Sequence, residues 1–305
     1  MIFRHQYQGG VWVDLEQPTE DEIHQITREF SISKRVEREL LAPTPMPLVI
    51  ADSDATLLVL HFPAPSTKDG DSVSQELDFV VGKHYIVTSR YEVIAPLYHL
   101  KKLLETQGLV GGRDSVTTDI LLEVLFAHLY TSVRNHTNNI AGRLERIEKD
   151  MFEGKEQATV RSISNISRAF LHMESVLANQ QEALKHFLDT LDHASFFGPS
   201  FAERTLRILT ERAHVAHLVT THRAIAAELR ETNNALLSAK QNEIIKILTV
   251  VSFIFLPLAL IAKVFAMKVT YMPFVDDPNG FWIILGIMFI VAVVLTLFVS
   301  KKRWL

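Results

Sequence analysis

Two apolar runs in the last sixty residues constrain this 305-residue chain more than any other feature. Ile247 to Ala262 is sixteen uncharged, mostly apolar residues, and past Lys263 the run continues through Met267. Phe281 to Val299 is a second run, of nineteen residues without a charge. A bilayer core is crossed by about 20 apolar helical residues, so both runs are long enough to span one. The alternative, two helices buried in a soluble core, fits poorly with a second run that exits into Lys301-Lys302-Arg303-Trp304. The connecting stretch, Lys268 to Gly280, holds Pro273, Pro278 and the turn-prone pair Asn279-Gly280, which predicts a tight helical hairpin. Lys240 and Lys246 precede the first span and the basic tail follows the second, whereas the loop sets one lysine against Asp276 and Asp277. This asymmetry predicts cytoplasmic termini. Met1 to Gly10 is polar and aromatic, which does not read as a signal peptide.

Composition removes several functions. Thirty-five acids against 31 bases give a formal charge of −4, so no global basic footprint for nucleic acid exists. The chain has no cysteine, which excludes disulfides, thiolate metal sites and a cysteine nucleophile; metal chemistry is left to oxygen and imidazole. Phosphate-binding glycine loops and nucleophile elbows are absent from the sequence, so an enzyme or a nucleotide-driven pump is not expected. No resident cofactor is implied.

The expected fold is an α+β membrane protein. Residues 1–115 read as a cytoplasmic α/β domain. Within it Val11 to Leu15 alternates as a strand, Thr19 with Glu22 forms a capping box that starts a helix reaching about Phe30, and Thr56 to Phe62 and Leu77 to Val81 read as strands. Gly82-Lys83 followed by His84 to Ser89 predicts a hairpin return. The cluster Pro43, Pro45, Pro47 and the stretch Pro63 to Ser74 read as loops. Residues 116–198 carry helical periodicity from Val116 to about His193, with Leu121, Leu125 and Leu129 at four-residue spacing. Residues 199–267 read as a stalk helix continuing into the first span: Ser200 to Leu256 holds no glycine or proline, enough for a rod of roughly 85 Å. A loop at 268–280, a second span at 281–300 and a basic tail at 301–305 complete the chain. A helix that long must pack laterally, and a two-span subunit needs copies of itself to enclose a water path.

Asn242-Glu243-Ile244-Ile245-Lys246-Ile247-Leu248-Thr249, then Phe255-Leu256-Pro257-Leu258 and Ile261-Ala262, resemble the end of the stalk and the first span of CorA-type magnesium transporters. Met272-Pro273, Gly280-Phe281 and the ending Lys301 to Leu305 resemble the same family, as do Trp12-Val13-Asp14-Leu15 with Pro18-Thr19 and Tyr85-Ile86-Val87-Thr88. The resemblance implies a funnel-shaped homopentamer in a bacterial inner membrane, surrounded by lipid, with a ring of stalk helices lining a pore for a transported divalent metal ion. At the family's Gly-Met-Asn position this chain carries Ala266-Met267-Lys268, and Lys263 stands where relatives usually have a further glycine.

Counting about every 3.5 residues from Asn242, which matches a pore-lining asparagine of the family, gives a stripe of Asn242, Ile245, Leu248 or Thr249, Ser252, Leu256, Ala259 and Lys263. In a pentamer Ile245, Leu248 and Leu256 would form apolar rings able to gate by dewetting; in a soluble coiled coil they would be plain packing residues. Lys263 either faces the water path or snorkels to the outer interface. Facing inward, with Lys268 at the mouth and Asp276 and Asp277 offsetting it, it opens two alternatives: a non-conducting sensor or scaffold, and an anion-permeable channel.

By resemblance Glu231 contributes to a cytoplasmic acidic ring, and the acidic segment Glu145, Glu148, Asp150, Glu153, Glu156 faces the Lys301-Lys302-Arg303 collar. By resemblance Arg207 falls where a well-characterised type of relative has a metal-sensing aspartate, so feedback inhibition through that site is not expected. Among thirteen histidines, His214 and His217 with His222, and His186, Asp189 and His193, have spacings that suit zinc and that chance also produces.

Overall fold

The computed structural model describes residues 2–65, 72–110, 116–267 and 279–301, with only the backbone for 105–110. The chain divides into two compact units, Met1–Arg230 and Glu231–Leu305.

The first unit is built on a six-stranded sheet: β1 (Ile2–Tyr7), β2 (Gly10–Glu16), β3 (Leu48–Ala51), β4 (Ala55–Pro65), β5 (Ser72–Gly82) and β6 (Tyr85–Arg90), in the order β1-β2-β6-β5-β4-β3. Only β2 and β6 pair in parallel, Val13 opposite Val87. Between β2 and β3 lie α1 (Glu20–Glu29) and α2 (Lys34–Leu40). Thr19 caps α1 through the expected reciprocal pair with Glu22, which satisfies two otherwise free backbone donors. Ile23, Ile26, Val36 and Leu40 from these helices cover one sheet face, on Val13, Leu15, Leu57, Val59, Val80 and Val87. The other face takes α4 (Thr118–Phe152) and α5 (Glu156–His193): Phe79 stacks on Phe126 with centroids 5.0 Å apart, and Phe62 lies 5.8 Å from Tyr130. Burial on both faces explains why Leu57 to Leu60 of β4 and, apart from Asp78, Leu77 to Val81 of β5 read as apolar runs. Helix α3 (Ala95–Val110) brings Lys101 to the buried Asp14, which Arg90 and Thr88 also reach.

Two expectations are corrected. Pro63 to Ser74 is not simply loop: Pro63 pairs opposite Ser74 and Pro65 opposite Ser72, extending the hairpin to residues 66–71, which lie outside the described set. The prolines are tolerated because β3 pairs with β4 only up to Val59, so on that side of β4 no strand asks for an N–H there. The helical stretch from Val116 is broken by Gly154, at φ 91°, where the turn between α4 and α5 needs a left-handed residue.

Helix α6 (Phe201–Phe265) enters both units. In the first, Phe201, Ile208, Val215, Val219, Ala226 and Leu229 are buried, nearly a seven-residue repeat facing one seam. Its start is tied to α4 by ion pairs from Arg204 to Asp119 (2.8 Å) and Glu123 (2.7 Å) and from Arg207 to Glu123 (2.6 Å), and Arg207 also pairs with Glu203 one turn away on α6 (2.7 Å). In the second unit α6 continues without a break through Pro257 and packs on α7 (Gly280–Lys301).

Candidate pore-lining site

Alpha-helical geometry turns about 100° per residue, so each side chain of α6 can be placed around its axis relative to Val250. Val250 is buried, and Ile254, Pro257, Leu258, Ile261 and Phe265 are partly covered. These six fall within an arc of about 100°, the face turned to α7. There Phe253 approaches Phe298 at 6.3 Å and Val299 is buried, while Leu258 borders a shallow apolar groove with Gly286 and Phe289.

From Ile247 to Phe265 the helix has only three polar side chains, Thr249, Ser252 and Lys263. They lie at about 260°, 200° and 220° from Val250, one narrow stripe on the side opposite α7. Ile245, Leu248, Leu256 and Ala259 fall in the same sector; Ile245 is 60% exposed, Leu248 63% and Leu256 69%. Asn242, Thr249, Ala259 and Lys263 are exposed, and Ser252 is partly covered. Thr249 donates its hydroxyl proton to the Ile245 carbonyl (2.7 Å), which leaves the hydroxyl oxygen turned outward as an acceptor. The residues that the sequence pattern grouped are therefore brought onto one face.

Helix α6 ends by tightening: the Ala266 N–H reaches Ala262 and Lys263 carbonyls and Met267 that of Val264. Ala266 and Met267 thus form the last turn. Lys268, Asp276, Asp277, Lys302 and Arg303 lie outside the described residues. Glu231 is exposed on α6, and Lys301 closes α7.

Both apolar helices are long enough to cross a membrane, and only 6% of the most apolar stretch of each is buried. Core helices of a soluble protein would be covered, so the soluble alternative does not describe them.

Outside the stripe, several of the charged and imidazole groups singled out in the sequence have local partners. Lys155 donates to Asp150 (2.6 Å) and Glu153 (3.4 Å) beside the α4–α5 turn. His193 bonds the Asp189 carbonyl, and His222 stacks on Phe170 at 5.8 Å. Among the described residues no group of three or more histidines and carboxylates could hold a metal ion, so neither histidine set forms a zinc cluster. Arg207 is occupied by Glu123 and Glu203, and together with Arg204 it holds the Glu123 carboxyl below the usual carboxylate range.

Sequence reasoning missed one polar constellation. Asp78 is 1% exposed on β5, opposite Ser89 of β6 in register, and neither its carboxyl oxygens nor the Ser89 hydroxyl has a hydrogen-bond partner. Desolvation, then the neighbouring Glu76, then Glu39 raise its pKa well above the ordinary value.

The sequence profile of CorA-like Mg2+ transporter proteins matches residues 7–303. The cobalt/magnesium transport protein CorA of Methanocaldococcus jannaschii is 19% identical over 299 residues, covering 97% of this chain and 91% of that protein. Its counterpart from Thermotoga maritima is 27% identical over 171 residues, 53% of this chain and 43% of that one. The complete structure of the Methanocaldococcus jannaschii CorA magnesium transporter superposes with a TM-score of 0.81 at 18% identity, covering 97% of this chain and 92% of that one. The full-length CmaX protein superposes at 0.57 with 16% identity, covering 97% and 89%. A sheet covered by helices, a long helix carried into an apolar span and a second apolar helix thus recur at low identity, and with a profile match over nearly the whole length the chain belongs to the CorA-like Mg2+ transporter family.

Proposed function

We propose that the protein is a homopentameric channel that passes divalent cations, Mg2+ or Zn2+, Co2+ and Ni2+, down their electrochemical gradient, with α6 lining the water path and α7 toward lipid. The observation that carries this is the polar stripe of Thr249, Ser252 and Lys263 opposite α7. Polar side chains inside a span are costly against hydrocarbon, and all three turn to the side that only another copy can cover. Copies arranged around an axis supply that cover and leave water between them. The relatives carry cobalt/magnesium transport in their names, which supports the choice of cargo. The setting is a bacterial inner membrane with both termini in the cytoplasm and Glu231 concentrating cations below the membrane.

Lys263 governs what passes. At an effective dielectric near 20, a dication about 6 Å from one ammonium meets a repulsion of about 5 kcal/mol, before water and counter-ions reduce it. The wild-type channel is accordingly slow for dications. Purified protein in liposomes is the test. Divalent uptake above that of empty vesicles is expected, and Lys263→Gly with Lys268→Asn raises it by at least about tenfold, the effect of relieving about 1.4 kcal/mol. No uptake of any of the four metals by the parent rejects the channel. Conduction appearing only in the double variant establishes the non-conducting sensor instead, and a reversal potential that follows chloride establishes an anion path through the same stripe.

A further inference from the structure

Asp78 is buried in the first unit with neither carboxyl oxygen hydrogen-bonded. It sits within the apolar run Leu77 to Val81, on the same sheet face as Glu76 two residues before it. Its cross-strand neighbours are Val59 on β4 and Ser89 on β6, and Glu39 approaches from α2. Val59 offers no polar atom and the Ser89 hydroxyl makes no hydrogen bond to Asp78, while Glu76 and Glu39 oppose a carboxylate. As an anion Asp78 finds no donor. As the neutral acid it becomes a donor itself, and the Glu76 carboxylate beside it is an acceptor. A proton between the two carboxyl groups gives Asp78 a partner and removes the repulsion.

Glu76 has a structural task that this proton protects. Both of its carboxylate oxygens accept the Thr44 N–H at 2.9 Å, and His61 Nε2 lies 3.5 Å away on the paired strand. Thr44 belongs to the proline-rich connection from α2 to β3, whose Pro43 and Pro45 roof a cleft of about 380 Å3 over His61, Glu76 and Tyr91. Tyr91 ties down the end of α2 through its hydroxyl, which donates to the Leu40 carbonyl at 3.2 Å. With three prolines in the segment, the Thr44 N–H is among the few backbone donors available to fix it.

We propose that Asp78 carries a proton at neutral pH, which it donates to the Glu76 carboxylate, and that this proton latches the Pro43–Pro47 connection onto the sheet. Loss of the proton puts two carboxylates side by side with one N–H and one imidazole to share, and Glu76 leaves Thr44. The latch is thus closed by protons and opened by alkali, the reverse of a salt-bridged carboxylate. It is independent of the channel reading, since every residue in it belongs to the first unit.

Hydrogen–deuterium exchange on the full-length protein in detergent tests it, with rates over residues 40–48 normalised to the intrinsic base-catalysed rate. In the parent, protection falls at least about tenfold between about pH 6 and about pH 9. In Asp78→Asn, whose amide mimics the protonated acid and donates to Glu76, protection stays constant over that range. Equal pH dependence in parent and variant, or none in either, overturns the proposal. A second measurement needs no folded Asn variant: difference infrared spectra of the parent between the same pH limits show one carboxylic-acid carbonyl band disappearing, and Glu76→Gln, which offers Asp78 an amide donor, moves that loss to lower pH. A parent spectrum without such a band also overturns it.

Discussion

The hydroxyl of Tyr130 is a single atom whose removal has a calculable effect. Tyr130 and Gln180 are both fully buried, and the phenol donates to Gln180 Oε1 at 3.0 Å. Gln180 in turn donates to the His61 carbonyl, so one chain of polar atoms joins α4, α5 and β4. In Tyr130→Phe the ring keeps its neighbours Phe62 at 5.8 Å and Phe126 at 6.2 Å, so apolar packing is nearly unchanged. What changes is that Gln180 Oε1 stays buried without a donor. Stranding a buried acceptor costs about 1–3 kcal/mol, more than the net worth of the bond itself. Taking about 2 kcal/mol, the apparent Tm of the first unit falls by roughly 4–8 °C for a unit of this size. Near-ultraviolet circular dichroism in mild detergent reads that shift. Gln180→Leu strands the phenol and the His61 carbonyl, and the double variant leaves only the carbonyl. The double variant should therefore be more stable than the sum of the singles by about 0.5–3 kcal/mol. A Tyr130→Phe protein that melts with the parent, or strictly additive losses, refutes the claim that this chain is dry and fully paired.

Two further outcomes follow from named contacts. Hydrogen bonding to Arg207, reinforced by Arg204, depresses the Glu123 pKa, so its contribution is present above the ordinary carboxylate pKa and disappears as pH falls through the depressed one. Glu123→Gln should lower stability by about 1 kcal/mol near pH 7, given its partial exposure, and match the parent at about pH 2, which paired melting curves check. A methyl added at Gly10 would overlap the His84 carbonyl, the same oxygen that accepts the Val11 N–H at 3.0 Å. Gly10→Ala should therefore force β2 away from the start of β6, giving a loss of several kcal/mol and poor yield of folded protein, seen by expression and calorimetry.

Which of these features the sequence discloses depends on the range over which each is specified. The two apolar helices, the Thr19 cap and the Gly82–Tyr85 hairpin are encoded within a few residues, by run length, capping chemistry and a tight turn, and all were legible. The seven-residue α2 was not: Lys34 to Leu40 is mostly charged, too short for a periodic signal, and held by the Ser33 cap and the burial of Val36 and Leu40. Pro63 and Pro65 argued for loop because they forbid a central strand, and the missing fact was that β3 stops short of them. The polar stripe of α6 was readable as spacing, yet its meaning required knowing which face α7 occupies. That fact is supplied by packing between helices, not by either helix alone. Asp78 marks the far limit: inside Leu77 to Val81 it reads as one polar interruption of an apolar run. Its isolation arises from register, because strands distant in sequence set Val59 and Ser89 opposite it and place no cation there among the described residues. A local pattern can show where a charge stands along the chain; only the pairing of strands shows that nothing answers it.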